Sequence, residues 1–155
     1  MKSLVATAII GLLAAPAFAE GDATAGEKTF NKCKSCHSVT SDAGDVIVKG
    51  GKTGPNLWGI GNRAAGSVDG FKYSKDLVAA GEEGLAWNEE NFVGFITNPK
   101  AFLRETTGNS KAKTKMAFKL KKGGEDIFAF LASVGPAPVV EDAATEEATT
   151  DATSD

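Results

Sequence analysis

Apolar side chains follow a helical repeat most clearly near the C-terminal end of the chain. Between positions 127 and 134 they recur at i, i+3, i+4 and i+7, which places them on one face of an amphipathic helix. Gly135 ends this pattern. A second helix is predicted from Asp22 to about Lys34, because Asp22 can cap it and Phe30 gives it an apolar anchor. The pattern therefore predicts a helix near each end of the domain.

Two shorter helices are predicted in the middle of the chain. One runs from Ser74 to about Ala80 and is expected to end at Gly81. The other begins after Asn88, a residue type that caps helices well, and is interrupted by Pro99. All the predicted regular elements of any length are thus helical.

The segments between these helices are long, irregular and rich in glycine. Positions 38–60 contain five glycines, and only positions 46–48, with the sequence VIV, resemble a strand. A second long loop is expected between Pro99 and Met116. Because irregular loops of this length are uncommon in a compact domain, the sequence predicts an all-α domain whose loops wrap something other than protein.

Both ends of the chain are predicted to lie outside this domain. Residues 1–19 have a basic start, an apolar run of about twelve residues and the A-x-A form at positions 17–19, as in a cleaved secretory signal peptide. The run is shorter than the roughly twenty residues that a membrane-spanning helix needs. Residues 137–155 are acidic and almost free of large apolar side chains, which predicts a disordered tail. The predicted domain therefore spans residues 20–136.

The charge of the chain changes sign when its ends are set aside. The whole sequence has 17 basic and 20 acidic side chains, for a net charge of −3. Residues 20–140 carry 16 basic and 14 acidic side chains, so the folded part is mildly basic beside an acidic tail. Only two arginines occur, and no nucleic-acid-binding motif is recognisable. We therefore expect no nucleic-acid partner.

Positions 33–37, with the sequence CKSCH, hold both cysteines and the only histidine of the chain. One interpretation is a disulfide or thiol–disulfide redox site at Cys33 and Cys36, but such sites usually accompany a βαβ pattern, which is not visible here. Another is a zinc site, for which the two cysteines and His37 supply three of the usual four ligands. The third is covalent haem attachment, for which C-x-x-C-H is the signal.

Haem attachment accounts best for this motif. The thiols of Cys33 and Cys36 can add to the two haem vinyl groups, while His37 presents a ring nitrogen to the iron. Because the chain has no other histidine, a second axial ligand must be of another type. Met116 is the only methionine once Met1 has left with the signal peptide. We therefore favour one haem c per chain, attached through the two cysteines.

Met116 lies in a lysine-rich segment, KAKTKMAFKLKK. It can be a gap-filling core residue or the second axial ligand. A His/Met pair raises the reduction potential and leaves no open position on the iron, which favours one-electron transfer over catalysis. Two alternatives stay open: a haem protein with a labile methionine that acts as a peroxidase or gas sensor, and a haem-free thiol–disulfide protein.

In order and content these motifs resemble the class I c-type cytochromes, and among them the bacterial cytochrome c2 group, relatives of mitochondrial cytochrome c. The resemblance covers roughly positions 21–134. It implies the class I cytochrome c fold, in which the N- and C-terminal helices pack together and shorter helices and loops surround the haem. Gly26 and Phe30 then contact Ile127 and Phe130 across that helix pair.

The resemblance also implies roles for further side chains. In GPNLWG, the carbonyl of Pro55 accepts a hydrogen bond from the His37 ring. Phe95 stands where many relatives have a tyrosine that reaches the methionine sulfur, so that contact is expected to be missing. The side chains expected at the haem propionates or at the exposed haem edge are Arg63, Tyr73, Trp87, Thr114 and Phe118.

Lysines cluster in the segments that border CKSCH and Met116. The predicted docking residues are Lys32, Lys34, Lys100, Lys113, Lys115, Lys119, Lys121 and Lys122. A positively charged face of this kind steers encounter with an acidic partner. The resemblance implies a periplasmic monomer that is an electron carrier and not an enzyme. Its donor would be a quinol–cytochrome c reductase, and its acceptor a cytochrome oxidase or a photosynthetic reaction centre.

Overall fold

The computed structural model describes residues 21–136, so the predicted signal peptide and acidic tail lie outside the described residues. The described part of the chain contains two short strands and five helices. The strands are β1 (Val39–Thr40) and β2 (Val46–Val48), and the helices are α1 (Ala23–Phe30), α2 (Lys75–Glu82), α3 (Glu89–Thr97), α4 (Pro99–Thr106) and α5 (Gly124–Val134). None of these helices is long and apolar enough to cross a membrane.

Helices α1 and α5 pack directly against each other. Gly26 of α1 is buried where the two backbones meet. A Cβ at this position would overlap the Asp126 carbonyl and lie 2.8 Å from the Phe130 Cβ, so the close approach of the helices requires glycine here. One turn further on, the rings of Phe30 and Phe130 are 5.7 Å apart, and Phe30 is 1% exposed. Ile127 is fully buried in the same core. The predicted pairing of the terminal helices is therefore confirmed.

The first helix is shorter than the predicted span to position 34. Asp22 caps it as predicted, since its carboxylate accepts hydrogen bonds from the backbone of residues 24 and 25. The helix ends at Phe30, and the chain then continues in turns that keep some helical bonds. The N–H of Lys34 bonds the Phe30 carbonyl at 3.1 Å, and the N–H of His37 bonds the Cys33 carbonyl at 3.0 Å. These turns present the CKSCH motif at the end of α1.

One predicted boundary and one predicted loop in the middle of the chain were wrong. Gly81 lies inside α2 instead of ending it, because its missing side chain lets the helix approach the Ala65 carbonyl closely. Pro99 ends α3 as predicted but also begins α4, in a segment predicted to be a loop. Proline suits the first position of a helix, where no N–H is needed, and the Asn98 side chain caps it. The strand predicted at 46–48 is confirmed.

The long loop around that strand is anchored to the CKSCH motif. Strand β2 pairs antiparallel with β1, which the sequence analysis missed because it is only two residues long. After the hairpin, Gly50 and Gly51 pack so closely on the carbonyls of Ser35 and His37 that neither position has room for a side chain. The loop therefore forms a fixed wall beside the motif.

Candidate functional site

The helices and loops enclose a cavity of about 410 Å³. Its volume falls within the usual range of about 300–1,000 Å³ for ligand and cofactor pockets. All the residues that the sequence analysis placed at the cofactor or the metal line this one cavity: Cys33, Cys36, His37, Pro55, Arg63, Tyr73, Trp87, Thr114, Met116 and Phe118. Residues separated by up to 85 positions are thus brought to a common site.

The His37 ring is held in one orientation by the segment that follows the hairpin. Its Nδ1 lies 2.8 Å from the Pro55 carbonyl oxygen, which can only accept, so Nδ1 carries the proton. Burial lowers the pKa of His37, against the opposing effect of this hydrogen bond. The neutral ring therefore keeps a free electron pair on Nε2, which is the arrangement that a metal-binding histidine needs.

Gly54 completes the support of this ring. A Cβ at position 54 would lie 2.6 Å from Nδ1 and 2.7 Å from Nε2 of His37, far inside van der Waals contact. Only a residue without a side chain leaves the imidazole its place in the cavity wall. The glycine of the GPNLWG segment therefore serves the histidine directly, a role that the sequence analysis did not assign.

The two cysteines are free thiols in unlike surroundings. Cys33 is half-buried, and burial, followed by the neighbouring Cys36, raises its pKa to about 11. Cys36 is exposed, and hydrogen bonds from Thr53 and Ser35 lower its pKa. Both residues line the same cavity as His37 and Met116. No three side chains of His, Cys, Asp or Glu within residues 21–136 are grouped to hold a metal ion, which leaves the zinc interpretation without support.

Met116 lies in the cavity wall, in the segment between α4 and α5. It is partly buried and packs on the hydrophobic core. Its N–H donates to the Thr114 Oγ1 at 3.2 Å, which forms a local turn just before the methionine. A thioether that faces the same cavity as the free nitrogen of His37 can serve as a second ligand to a metal held between them.

Three predicted polar residues lie together in another part of the wall. The Arg63 guanidinium donates to the carbonyls of Trp58 at 2.8 Å and Asn56 at 3.1 Å, and burial lowers its pKa. Burial also raises the pKa of Tyr73, so its hydroxyl stays protonated and able to donate. Trp87 is 7% exposed. This part of the cavity suits anionic groups such as carboxylates.

Ser74 belongs to the same polar group, although the sequence analysis treated it only as the start of a helix. Its Oγ is buried and has no hydrogen-bond partner among the described residues, and it makes no capping bond to α2. A buried hydroxyl without a partner costs roughly 1–3 kcal/mol. Since Ser74 lines the cavity, this cost is removed if a bound group accepts a hydrogen bond from its hydroxyl. The sequence signal was its position directly after Tyr73.

The rest of the wall is apolar, apart from an exposed edge. Leu57, Ile60 and Phe95 are each less than a tenth exposed. Phe95 has no hydroxyl and instead packs edge-on against Trp87, with ring centroids 5.0 Å apart. Phe118 is 44% exposed at the mouth of the cavity. A flat, mainly apolar ring system with two carboxylates and a central metal therefore fits this lining, as haem does.

The predicted docking lysines are all exposed. Lys32 and Lys115 line the mouth of the main cavity. Lys100 and Lys119 line a second depression that shares Thr114, Met116 and Ala117 with the main cavity. At least four of the eight lysines therefore lie beside Met116 and the exposed edge of the site.

Comparison with known proteins assigns the chain to a family. No family model matches it. It is, however, 60% identical over 133 residues to cytochrome c-551 of Roseobacter denitrificans, covering 86% of this chain and 95% of that protein. It is 56% identical over 133 residues to cytochrome c2 of Rhodobacter capsulatus, covering 85% and 96%. Such identities over nearly the whole of the relatives leave no doubt about common descent.

Solved structures agree with the sequence matches. The structure of Rhodobacter capsulatus cytochrome c2 superposes with a TM-score of 0.72 at 56% identity, covering 74% of this chain and 98% of that one. Ferric cytochrome c-550 of Paracoccus versutus gives a TM-score of 0.73 at 51% identity, covering 76% and 100%. Proteins of this family carry covalently bound haem c and transfer electrons without being enzymes. The chain thus has the class I cytochrome c fold and belongs to the class I c-type cytochromes, in the bacterial cytochrome c2 group.

Proposed function

We propose that this protein is a soluble periplasmic one-electron carrier with a single haem c, attached through Cys33 and Cys36 and ligated by His37 and Met116. The observation that carries the proposal is the convergence of these four residues on one cavity of about 410 Å³. With His37 and Met116 as its ligands, haem iron would supply reversible one-electron chemistry at a raised potential. The electron donor would be a quinol–cytochrome c reductase, and the acceptor a cytochrome oxidase or a photosynthetic reaction centre.

Different residues of the cavity would hold different parts of the haem. The hydrogen bond to Pro55 fixes the His37 ring and keeps its Nε2 available as a ligand. The hydroxyls of Tyr73, Ser74 and Thr114 and the indole of Trp87 offer donors to the propionates, with Arg63 opposing their charge. The apolar wall excludes water from the rest of the ring, which keeps the surroundings of the iron similar in both redox states.

Absorption spectra of the purified mature protein test this proposal most directly. We expect a pyridine haemochrome spectrum typical of two thioether bonds and one haem per chain. The ferric protein should show the weak methionine-to-iron charge-transfer band at the red end of the visible spectrum, and a redox titration should follow a one-electron curve. A colourless protein with a reversible dithiol couple would refute the proposal. A ferric protein without the methionine band would favour the peroxidase or sensor alternative.

The exposed lysines are expected to guide partner docking. Exchanging Lys32 or Lys119 for glutamate should lower the second-order rate of reduction by a quinol–cytochrome c reductase on the order of tenfold at low ionic strength. The loss should shrink at high salt, where charges are screened. Stopped-flow kinetics over a range of salt concentrations measures both effects.

Lys75→Glu is the matched control for this experiment. It makes the same charge change at an exposed residue that lines neither depression, so its effect on the rate should stay within about twofold. Rates that do not depend on salt, or an equal loss in the Lys75 variant, would show that these lysines do not form a docking face.

A further inference from the structure

The segment that carries Met116 is held by few regular contacts. It lies between the end of α4 at Thr106 and the start of α5 at Gly124, and contains no helix or strand of the described chain. With Met116 as a metal ligand, outward movement of this segment would carry its sulfur away from the metal. The bonds that tie this segment to the rest of the fold therefore set how often the ligand is released.

Asp76 of helix α2 makes one of these bonds. Its Oδ2 accepts a hydrogen bond of 2.8 Å from the backbone N–H of Lys113, three residues before Met116. Asp76 is the second residue of α2 and accepts across 37 positions of sequence. A carboxylate on a rigid helix thus holds the backbone of the ligand-bearing segment.

A second bond spans the same gap. The Lys115 ammonium donates to the carbonyl of Lys72. Together, the two bonds join residues 72 and 76, around the start of α2, to residues 113 and 115, just before Met116. Ser74 on one side and Thr114 on the other both line the cavity between these bonds. The anchor therefore lies directly at the site.

We infer that Asp76 is a positioning residue for Met116, because its carboxylate fixes the Lys113 N–H and so restrains release of the methionine sulfur. The inference rests on the proposed function, in which Met116 is the axial ligand. What matters is an acceptor at this position, since the partner is a neutral backbone N–H. The negative charge of Asp76 near the start of α2 is a separate, generic contribution to helix stability.

Three variants of the haem-loaded protein separate the acceptor from the charge. Asp76→Ala removes both, while Asp76→Asn removes the charge but keeps an oxygen at the same place. Glu90→Ala removes a carboxylate from the equivalent second position of α3, where it is exposed. Each ferric protein is titrated with imidazole, which competes with Met116 for the iron, and loss of the methionine charge-transfer band reports the competition.

We expect imidazole to bind the Asp76→Ala protein about tenfold more tightly than the wild type, which corresponds to about 1.4 kcal/mol. The Asp76→Asn and Glu90→Ala proteins should stay within about twofold of the wild type. Hydrogen exchange adds a readout independent of the haem chemistry. Protection of the Lys113 amide should fall about tenfold in Asp76→Ala and be kept in Asp76→Asn.

Two results would overturn the inference. One is an unchanged imidazole affinity in Asp76→Ala. The other is an equal change in all three variants, which would show an effect of charge alone. If the Asp76→Ala protein does not bind haem, hydrogen exchange of the wild type still tests the inference. A Lys113 amide that exchanges without protection in the wild type would exclude the bond to Asp76. Failure of the proposed function is distinguishable, since the wild type would then lack the methionine band at the outset.

Discussion

Replacing Met116 with alanine is expected to abolish the methionine-to-iron charge-transfer band and to lower the reduction potential sharply. The identity of the axial ligands sets haem potentials over a range of about 0.8 V, so we expect a fall on the order of 0.1 V or more. The variant should also bind small ligands such as imidazole and cyanide more tightly than the wild type does. Ferric absorption spectra and a redox titration measure these effects.

Met116→Leu is the matched variant for this prediction. Leucine nearly conserves the volume of methionine and so keeps the packing on the core, at a cost below about 1.5 kcal/mol. It has no sulfur, however, so this variant should also lack the charge-transfer band, and its reduction potential should fall as far as that of the alanine variant. If the leucine variant kept the wild-type spectrum and potential, Met116 would be a packing residue only, and the axial ligand would have to be another group.

Replacing Gly26 with alanine is expected to destabilise the domain by about 3 kcal/mol, more than one methyl group usually costs. The added Cβ would overlap the Asp126 carbonyl and lie 2.8 Å from the Phe130 Cβ, so α1 and α5 must move apart. Alanine would otherwise favour the helix by roughly 1 kcal/mol over glycine, and any net loss therefore comes from the helix contact. Denaturant unfolding of the haem-loaded protein measures it.

Gly61→Ala provides the control for the Gly26 variant. No heavy atom lies within 4 Å of a Cβ built at this exposed position, and its backbone is not in the left-handed region. The change should stay within about 0.5 kcal/mol of the wild type. Equal stability of the two variants would mean that α1 and α5 can move apart at little cost, and that Gly26 is not needed for their close packing.

The sequence predicted those parts of the fold and site that depend on local pattern or on a motif. The periodicity between 127 and 134 predicted α5, and Asp22 predicted the start of α1, because both depend on neighbouring residues. The CKSCH motif and Met116 predicted the site, because the chain offers few other residues of those types. Where they meet in space followed only from the resemblance to a known fold.

Features that depend on contacts between distant segments could not be predicted in this way. Helix α4 was missed because Pro99 was taken only as the end of one helix, although it also begins the next. Ser74 was missed because its sequence context suits a helix cap, and only burial shows that its hydroxyl has no partner. The bond between Asp76 and Lys113 follows from how a loop folds back over a helix, which no local pattern encodes.

The packing of α1 on α5 also determines when the chain can fold. The N–H of Asp22 bonds the carboxylate of Asp126 across 104 positions of sequence, so the first helix finds its partner only after nearly the whole domain has been made. Until then Phe30 has no aromatic ring to pack against. Closing a loop of this length costs little stability beyond that of a loop half as long, about 0.6 kcal/mol, but it delays folding. The domain should therefore complete its folding only after synthesis of its last helix.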